Sequence, residues 1–258
     1  MIEKILEKFK NDKRVEAIAL GGSRAGENFD EKSDYDIYVY YNGMIPEKER
    51  KEIYLEICSK IEIGNHYWEY EDNGVLNDGV ELDVVYRKLD DFINGISYVV
   101  DKCNSHNGYT TCMWHNLINC KILFDRNKKL EKYQKQYSID YPKKLKENII
   151  LRNMNLLSDA LPAYKGQIKK ATGRADVVSI NHRITEFLAS YFDIIFALNE
   201  LTHPGEKRLV EISLKKCKKL PKNFSQNIEN LLKNIAVNNE NINFYVQEIV
   251  RELKEILK

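Results

Sequence analysis

The chain has 258 residues, enough for one large domain or two modest ones, and its 40 basic and 39 acidic side chains leave a formal charge of +1. That balance gives no global basic bias toward nucleic acid, and no apolar run approaches the ~20 residues that a bilayer-spanning helix needs. Five cysteines without a C-x-x-C pair read as reduced thiols, and the charged N-terminal segment does not read as a secretory leader, so a cytoplasmic protein is expected.

Ile2, Ile5, Leu6 and Phe9 recur at helical spacing and predict a short opening helix. Val15 to Leu20 is a short apolar run ending at Gly21-Gly22, which suits a buried strand entering a tight turn. Tyr35 to Tyr41 is rich in aromatic and β-branched residues and predicts a second strand, broken by Asn42-Gly43 and Pro46. A helix is expected over 47–61, with Ile53, Ile57 and Ile61 on one face. Residues 66–70 suggest a strand, turns follow at Asn73-Gly74 and Asp78-Gly79, and 80–86 alternates as another strand. Residues 89–102 return to helical spacing. The second half is helical in pattern, with one long amphipathic helix through Ile180, Ile184, Phe187, Tyr191 and Ile195 and another through Ile242, Val246, Ile249 and Leu253. The expected class is α+β: a short mixed sheet with helices over 1–125, then an all-helical domain over 126–258.

The chemistry concentrates between Gly21 and Tyr41. Side chains alternate along a strand, so Asp34 and Asp36 share a face while Ile37 and Val39 point into a core. Two adjacent carboxylates repel unless a cation lies between them, and Mg²⁺ suits such a pair together with substrate phosphates. Gly21 and Gly22 let backbone N–H groups approach a phosphate, Ser23 adds a hydroxyl, and a helix opening at Gly26 would add a favourable field. A third carboxylate is needed to complete two metal sites. The strand around 80–86 offers Asp83 first, as a ligand or as the base for an attacking hydroxyl, with Glu81 in reserve.

The order strand, Gly-Gly-Ser, Asp-x-Asp strand, acidic strand resembles the signature of the DNA polymerase beta-like nucleotidyltransferase superfamily. Gly22-Ser23, Arg24, Gly26, Ser33-Asp34-Tyr35-Asp36 and Val39 carry it. The helical half resembles the C-terminal domain of small-molecule nucleotidyltransferases acting on aminoglycoside or lincosamide antibiotics. The resemblance implies two Mg²⁺ ions on Asp34, Asp36 and Asp83, a nucleoside triphosphate held by Gly21, Gly22 and Ser23, attack on the α-phosphorus and release of pyrophosphate. It implies transfer of a nucleoside monophosphate, most simply AMP from ATP, to a hydroxyl of a small molecule. A protein hydroxyl as acceptor, as in adenylylating antitoxins, and a non-catalytic nucleotide binder are the alternatives; the near-neutral charge weighs against a nucleic-acid acceptor.

Arg24 is a candidate triphosphate contact or a solvated side chain, and Lys207, after the Pro204-Gly205 turn, is a candidate phosphate contact or a plain surface lysine. Glu69, Glu71, Asp72 and Asp78 cluster beside the third acidic strand and offer acidic walls for a cationic acceptor. The histidines form no H-x-H or H-x-x-x-H pair, so zinc is not expected. The C-terminal amphipathic helix is free to pair two copies as a homodimer or to pack inward.

Overall fold

A computed structural model describes residues 2–26, 33–237 and 241–258. Helix α1 (Ile2–Asn11) buries Ile5, Leu6 and Phe9 against the sheet. Strand β1 (Val15–Leu20) leads into the single turn of α2 (Gly22–Ala25), and β2 (Tyr35–Tyr41) returns. Then follow α3 (Glu47–Tyr54), β3 (Cys58–Asn65), β4 (Glu71–Leu76), β5 (Glu81–Arg87), α4 (Leu89–Val100), α5 (Cys112–Asn119), β6 (Lys121–Asp125) and α6 (Lys129–Tyr137). The six strands form one mixed sheet in the order β3-β4-β5-β2-β1-β6, in which β2 and β5 run parallel and the other pairs antiparallel.

The chain divides into two compact units. The first comprises 1–97 and 116–139, the second 98–115 and 140–258. Relative to a cut at 125, residues 98–115 group with the helices and 126–139 group with the sheet. Asp125 is the reason the latter stay: its carboxylate accepts from the N–H groups of Lys129 (3.0 Å) and Glu131 (2.8 Å), capping α6 directly onto the end of β6.

Three local expectations are corrected. The helix expected over 47–61 ends at Tyr54, and β3 begins at Cys58. Ile57 fits the helical spacing, but it is buried in the turn between the two, while Ile61 and Ile63 alternate along the strand against the core. Asn73-Gly74 is not a turn but the middle of β4; a Cβ on Gly74 would come within 3.1 Å of Ile61 Cδ1 and 3.2 Å of Cys58 Sγ, so close strand packing explains the glycine. Residues 66–70 connect β3 to β4, and carry the exposed Tyr67 and Trp68.

One face of the sheet packs Ile18, Leu20, Ile37, Val39, Leu82, Val84 and Tyr86 into a core with α1 and Tyr54. Beneath it lies a buried ion pair. Arg50 Nε donates to Asp72 Oδ2 at 2.9 Å, both side chains being fully buried. Asp72 also accepts from Tyr86 Oη and Gly64 N, each at 2.8 Å, and Arg50 Nη1 donates to the Ile45 carbonyl at 2.6 Å. The pair is therefore saturated with hydrogen bonds, the condition under which a buried pair holds elements together.

The second unit contains α7 (Lys143–Met154), a π-helical turn (Asn155–Asp159), α8 (Tyr164–Gly173), α9 (Val177–Leu198), α10 (Leu209–Lys216), α11 (Phe224–Val237) and α12 (Ile242–Leu257). α9 supplies Ile180, Ile184, Phe187, Tyr191, Ile194 and Ile195 to the core, and Val246, Ile249 and Leu253 of α12 join them, so α12 packs inward within its own unit. Buried Asp193 of α9 accepts from Thr110 N (3.0 Å), Thr110 Oγ1 (2.6 Å) and Asn153 Nδ2 (3.1 Å), tying the loop before α5 to α7 and α9. No helix among the described residues is long and apolar enough to cross a membrane.

Candidate functional site

The face of the sheet opposite that core carries the acidic residues. In the parallel pairing of β2 with β5, Asp36 is the register partner of Asp83. Asp34 lies two residues before Asp36, and alternation returns it to the same face. Carboxylate oxygens of Asp34, Asp36 and Asp83 lie within 4.8 Å of one another, and all three residues are half-buried. Three gathered negative charges with oxygen donors suit a hard divalent cation, which would relieve their mutual repulsion.

The Gly-Gly-Ser turn is built around this cluster. The Gly21 N–H donates to the Asp36 carbonyl at 2.8 Å and extends the β1–β2 ladder. Gly21 is thereby a packing residue; a Cβ there would meet the Tyr38 ring at 2.2 Å. Gly22 has φ +58°, and a Cβ on it would lie 1.7 Å from Asp36 Oδ2. Only glycine satisfies both the left-handed backbone and the contact with the carboxylate. Ser23 is exposed at the start of α2, and Gly26 closes that helix rather than opening one, its N–H donating to the Ser23 carbonyl at 3.1 Å.

Arg24 lies across the entrance to β2. Its Nε donates to the Ser33 carbonyl at 2.6 Å, and its guanidinium stacks 4.0 Å above the Tyr35 ring. These contacts flank Asp34 on both sides, so Arg24 braces the backbone that presents it. Glu81 is exposed and stands outside the carboxylate cluster, but with Asp83 it lines a cleft of about 450 Å³ along β3, β4 and β5, together with Lys60, Glu62 and Asn73. Lys207 is exposed in the helical unit, just before α10.

Most of the expected acidic wall is engaged elsewhere. Asp72 is buried against Arg50, and Glu69 pairs with Arg87, whose Nε donates to Glu69 Oε2 at 2.8 Å. Asp78 caps the β4–β5 turn by accepting from Val80 N at 3.2 Å. Of the four, Glu71 shares the face of Asp83; burial, then the Asp83 charge, pushes its carboxyl up, with a hydrogen bond from Asn73 working against them. Sequence reasoning misses Asn73 and Asn65. Counting outward along the hairpin from Asp78-Gly79 sets Asn73 opposite Asp83 only once 71–76 is taken as a strand.

Residues 3–71 match the family described as polymerase beta, nucleotidyltransferase. The match includes Asp34 and Asp36 and stops before β5, so Asp83 joins them by geometry alone. No curated protein matches the sequence. Among solved structures the chain is similar to a nucleotidyltransferase-like protein from Exiguobacterium sibiricum 255-15, at 12% identity and a TM-score of 0.44, covering 99% of this chain and 72% of that one. It is also similar to an aminoglycoside 6-adenyltransferase from Bacillus subtilis, at 12% identity and a TM-score of 0.29, covering 100% of this chain and 90% of that one. The CCA-adding enzyme of Thermotoga maritima, solved with tRNA, has 12% identity and a TM-score of 0.28 over 99% of this chain and 81% of that one. Likeness at this level says nothing of the acceptor. Residues 3–71, which hold Asp34 and Asp36, are thus similar to the polymerase beta nucleotidyltransferase family.

Proposed function

We propose that this protein is a Mg²⁺-dependent nucleotidyltransferase that moves a nucleoside monophosphate, AMP from ATP in the simplest case, onto a hydroxyl of a small molecule and releases pyrophosphate. The observation that carries the reading is the convergence of Asp34, Asp36 and Asp83 on the turn at Gly22. A donor set made of three carboxylates fits Mg²⁺. When bound there, two Mg²⁺ ions would neutralise charge developing on the entering and leaving oxygens of an in-line displacement.

The chain's own residues have the remaining tasks. Asp34 and Asp36 would hold cation charge on the β2 side and Asp83 on the β5 side. The exposed Ser23 offers its N–H and hydroxyl as donors for a phosphate oxygen, while Gly22 keeps the turn close to Asp36. Asp83 is the carboxylate on the wall of the cleft and is placed to accept the proton of an acceptor hydroxyl; Glu81, on the same strand face, is the reserve. The cleft has room for a drug-sized molecule and a polar wall of Lys60, Glu62, Asn73 and Glu81, which supports a small polar acceptor. The thiols, none of them in a disulfide, suit the reducing cytoplasm.

The test is ATP binding by calorimetry with and without Mg²⁺, wild type beside Asp34→Asn, followed by acceptor screening by product mass. Binding that requires both Mg²⁺ and Asp34 supports the reading. A folded protein that binds no nucleoside triphosphate would turn it toward a non-catalytic member.

A further inference from the structure

We infer that Asn73 is a positioning residue for Asp83, an inference that rests on the transfer reaction proposed above. The two are cross-strand partners on β4 and β5, and Asn73 Nδ2 donates to Asp83 Oδ1 at 2.6 Å. A carboxylate only accepts, so the nitrogen of the Asn73 amide must face Asp83 and its oxygen must face away. That oxygen accepts from Asn65 Nδ2 on β3. The β3–β4 register shifts between Glu62 and Asn65, a bulge that re-aims the end of β3. A chain of amides thus crosses β3 and β4 and ends on the carboxylate of β5.

The arrangement solves a specific problem. Asp83 stands within 4.8 Å of two other carboxylates, and repulsion favours rotating its side chain away from them. A donor on Oδ1 holds the rotamer and leaves the second oxygen for the site. The donor is neutral, so it fixes Asp83 without supplying the positive charge that a cation must bring. The neighbouring residue on β4 shows the contrast: Asp72, facing the core, meets Arg50 and is fully enclosed. Adjacent positions of one strand therefore provide a guanidinium partner for a carboxylate that folds the chain and an amide for one that serves the site. Partners of this kind orient metal-ligating carboxylates, and their loss typically costs about 10–100-fold in metal affinity.

The test uses the full chain with Mn²⁺ as the probe, its binding counted by electron paramagnetic resonance, and ATP-dependent pyrophosphate release as the kinetic readout. Asn73→Ala is expected to weaken Mn²⁺ about 10–100-fold and to lower kcat with little change in KM for ATP. Asn65→Ala, which leaves Asp83 and its partner in place, is expected to move both quantities in the same direction by a smaller factor. Circular dichroism shows whether each variant is folded. Unchanged Mn²⁺ affinity and kcat in folded Asn73→Ala overturns the inference; if that variant does not fold, unchanged values in folded Asn65→Ala overturn it. The underlying reading fails differently: wild type and Asp83→Asn would then bind Mn²⁺ equally.

Discussion

Two kinds of carboxylate occupy the chain. Asp72 in the sheet unit and Asp193 in the helical unit are buried and ringed by donors: a guanidinium, a phenol and an N–H for the first, a hydroxyl, an amide and an N–H for the second. Asp34, Asp36 and Asp83 are half-exposed and gathered with one another. Folding favours the first arrangement, because burying a charge is costly unless it is paired. It disfavours the second, because like charges in proximity raise the energy of the native state. Carboxylates gathered in this way support the use outside folding proposed above.

Single substitutions should separate the two kinds cleanly. Asp36→Asn is expected to lower nucleotidyl transfer by about 10³-fold and to leave thermal stability unchanged or raised, since it relieves repulsion. Asp72→Asn is expected to cost about 3–5 kcal/mol, because it strands the Arg50 guanidinium in the core. Denaturant titration and pyrophosphate release on both variants check the contrast; a stability loss in Asp36→Asn equal to that in Asp72→Asn would break it.

Gly22→Ala tests whether the turn and the cluster are one device. A methyl group there must displace the Asp36 carboxylate or the turn itself, at φ +58°. The expected outcome is about 10²-fold loss of turnover, with a stability cost of about 1–2 kcal/mol from the left-handed backbone. Gly26→Ala, where the nearest atom to a Cβ is 3.6 Å away, is the control and is expected to change turnover little.

The same contrast governs what is legible in the sequence. Asp34 and Asp36 are legible because a strand face is set by parity, and the apolar Ile37 and Val39 give the phase. Asp83 is legible for the same reason on β5. Asn73 is not, because its role depends on register with β5, and Gly74 beside it reads as a turn until its contact with Ile61 and Cys58 is known. The fate of the acidic stretch is hidden for a related reason. Glu69, Glu71 and Asp72 look alike in sequence, yet Arg87 takes the first, Arg50 takes the third, and both partners are distant in the chain. Helices of the second unit are legible as amphipathic stripes, whereas the placement of 98–115 among them hangs on the Asp193 contacts.

Asp72 and Asp193 themselves differ, and pH resolves them. Asp72 has a cation; Asp193 has neutral donors, and burial lifts its carboxyl to about 6 despite Thr110 and Asn153. Its folded pKa is raised above the unfolded value, so its contribution to stability grows as pH falls from about 6 toward 4. Two histidines of the same unit oppose it. Burial pushes His115 down to about 4, with the Lys216 charge adding to the effect. Burial likewise pushes His203 down to about 3, and the nearby His115 charge adds to it. Both folded values lie below the unfolded one, so between pH 6.5 and about 4 the unfolded state takes up protons that the folded state refuses. Two losses against one gain leave a net fall in stability toward acid, each proton counting about 1.4 kcal/mol per pH unit inside its window. Asp193→Asn removes the opposing gain and is expected to steepen the acid loss between about pH 6 and 4, while His115→Gln with His203→Gln leaves the Asp193 gain alone and reverses the slope. Thermal midpoints across that range check both slopes. A wild-type midpoint that rises toward acid would mean that Asp193, not the histidines, sets the balance in this unit.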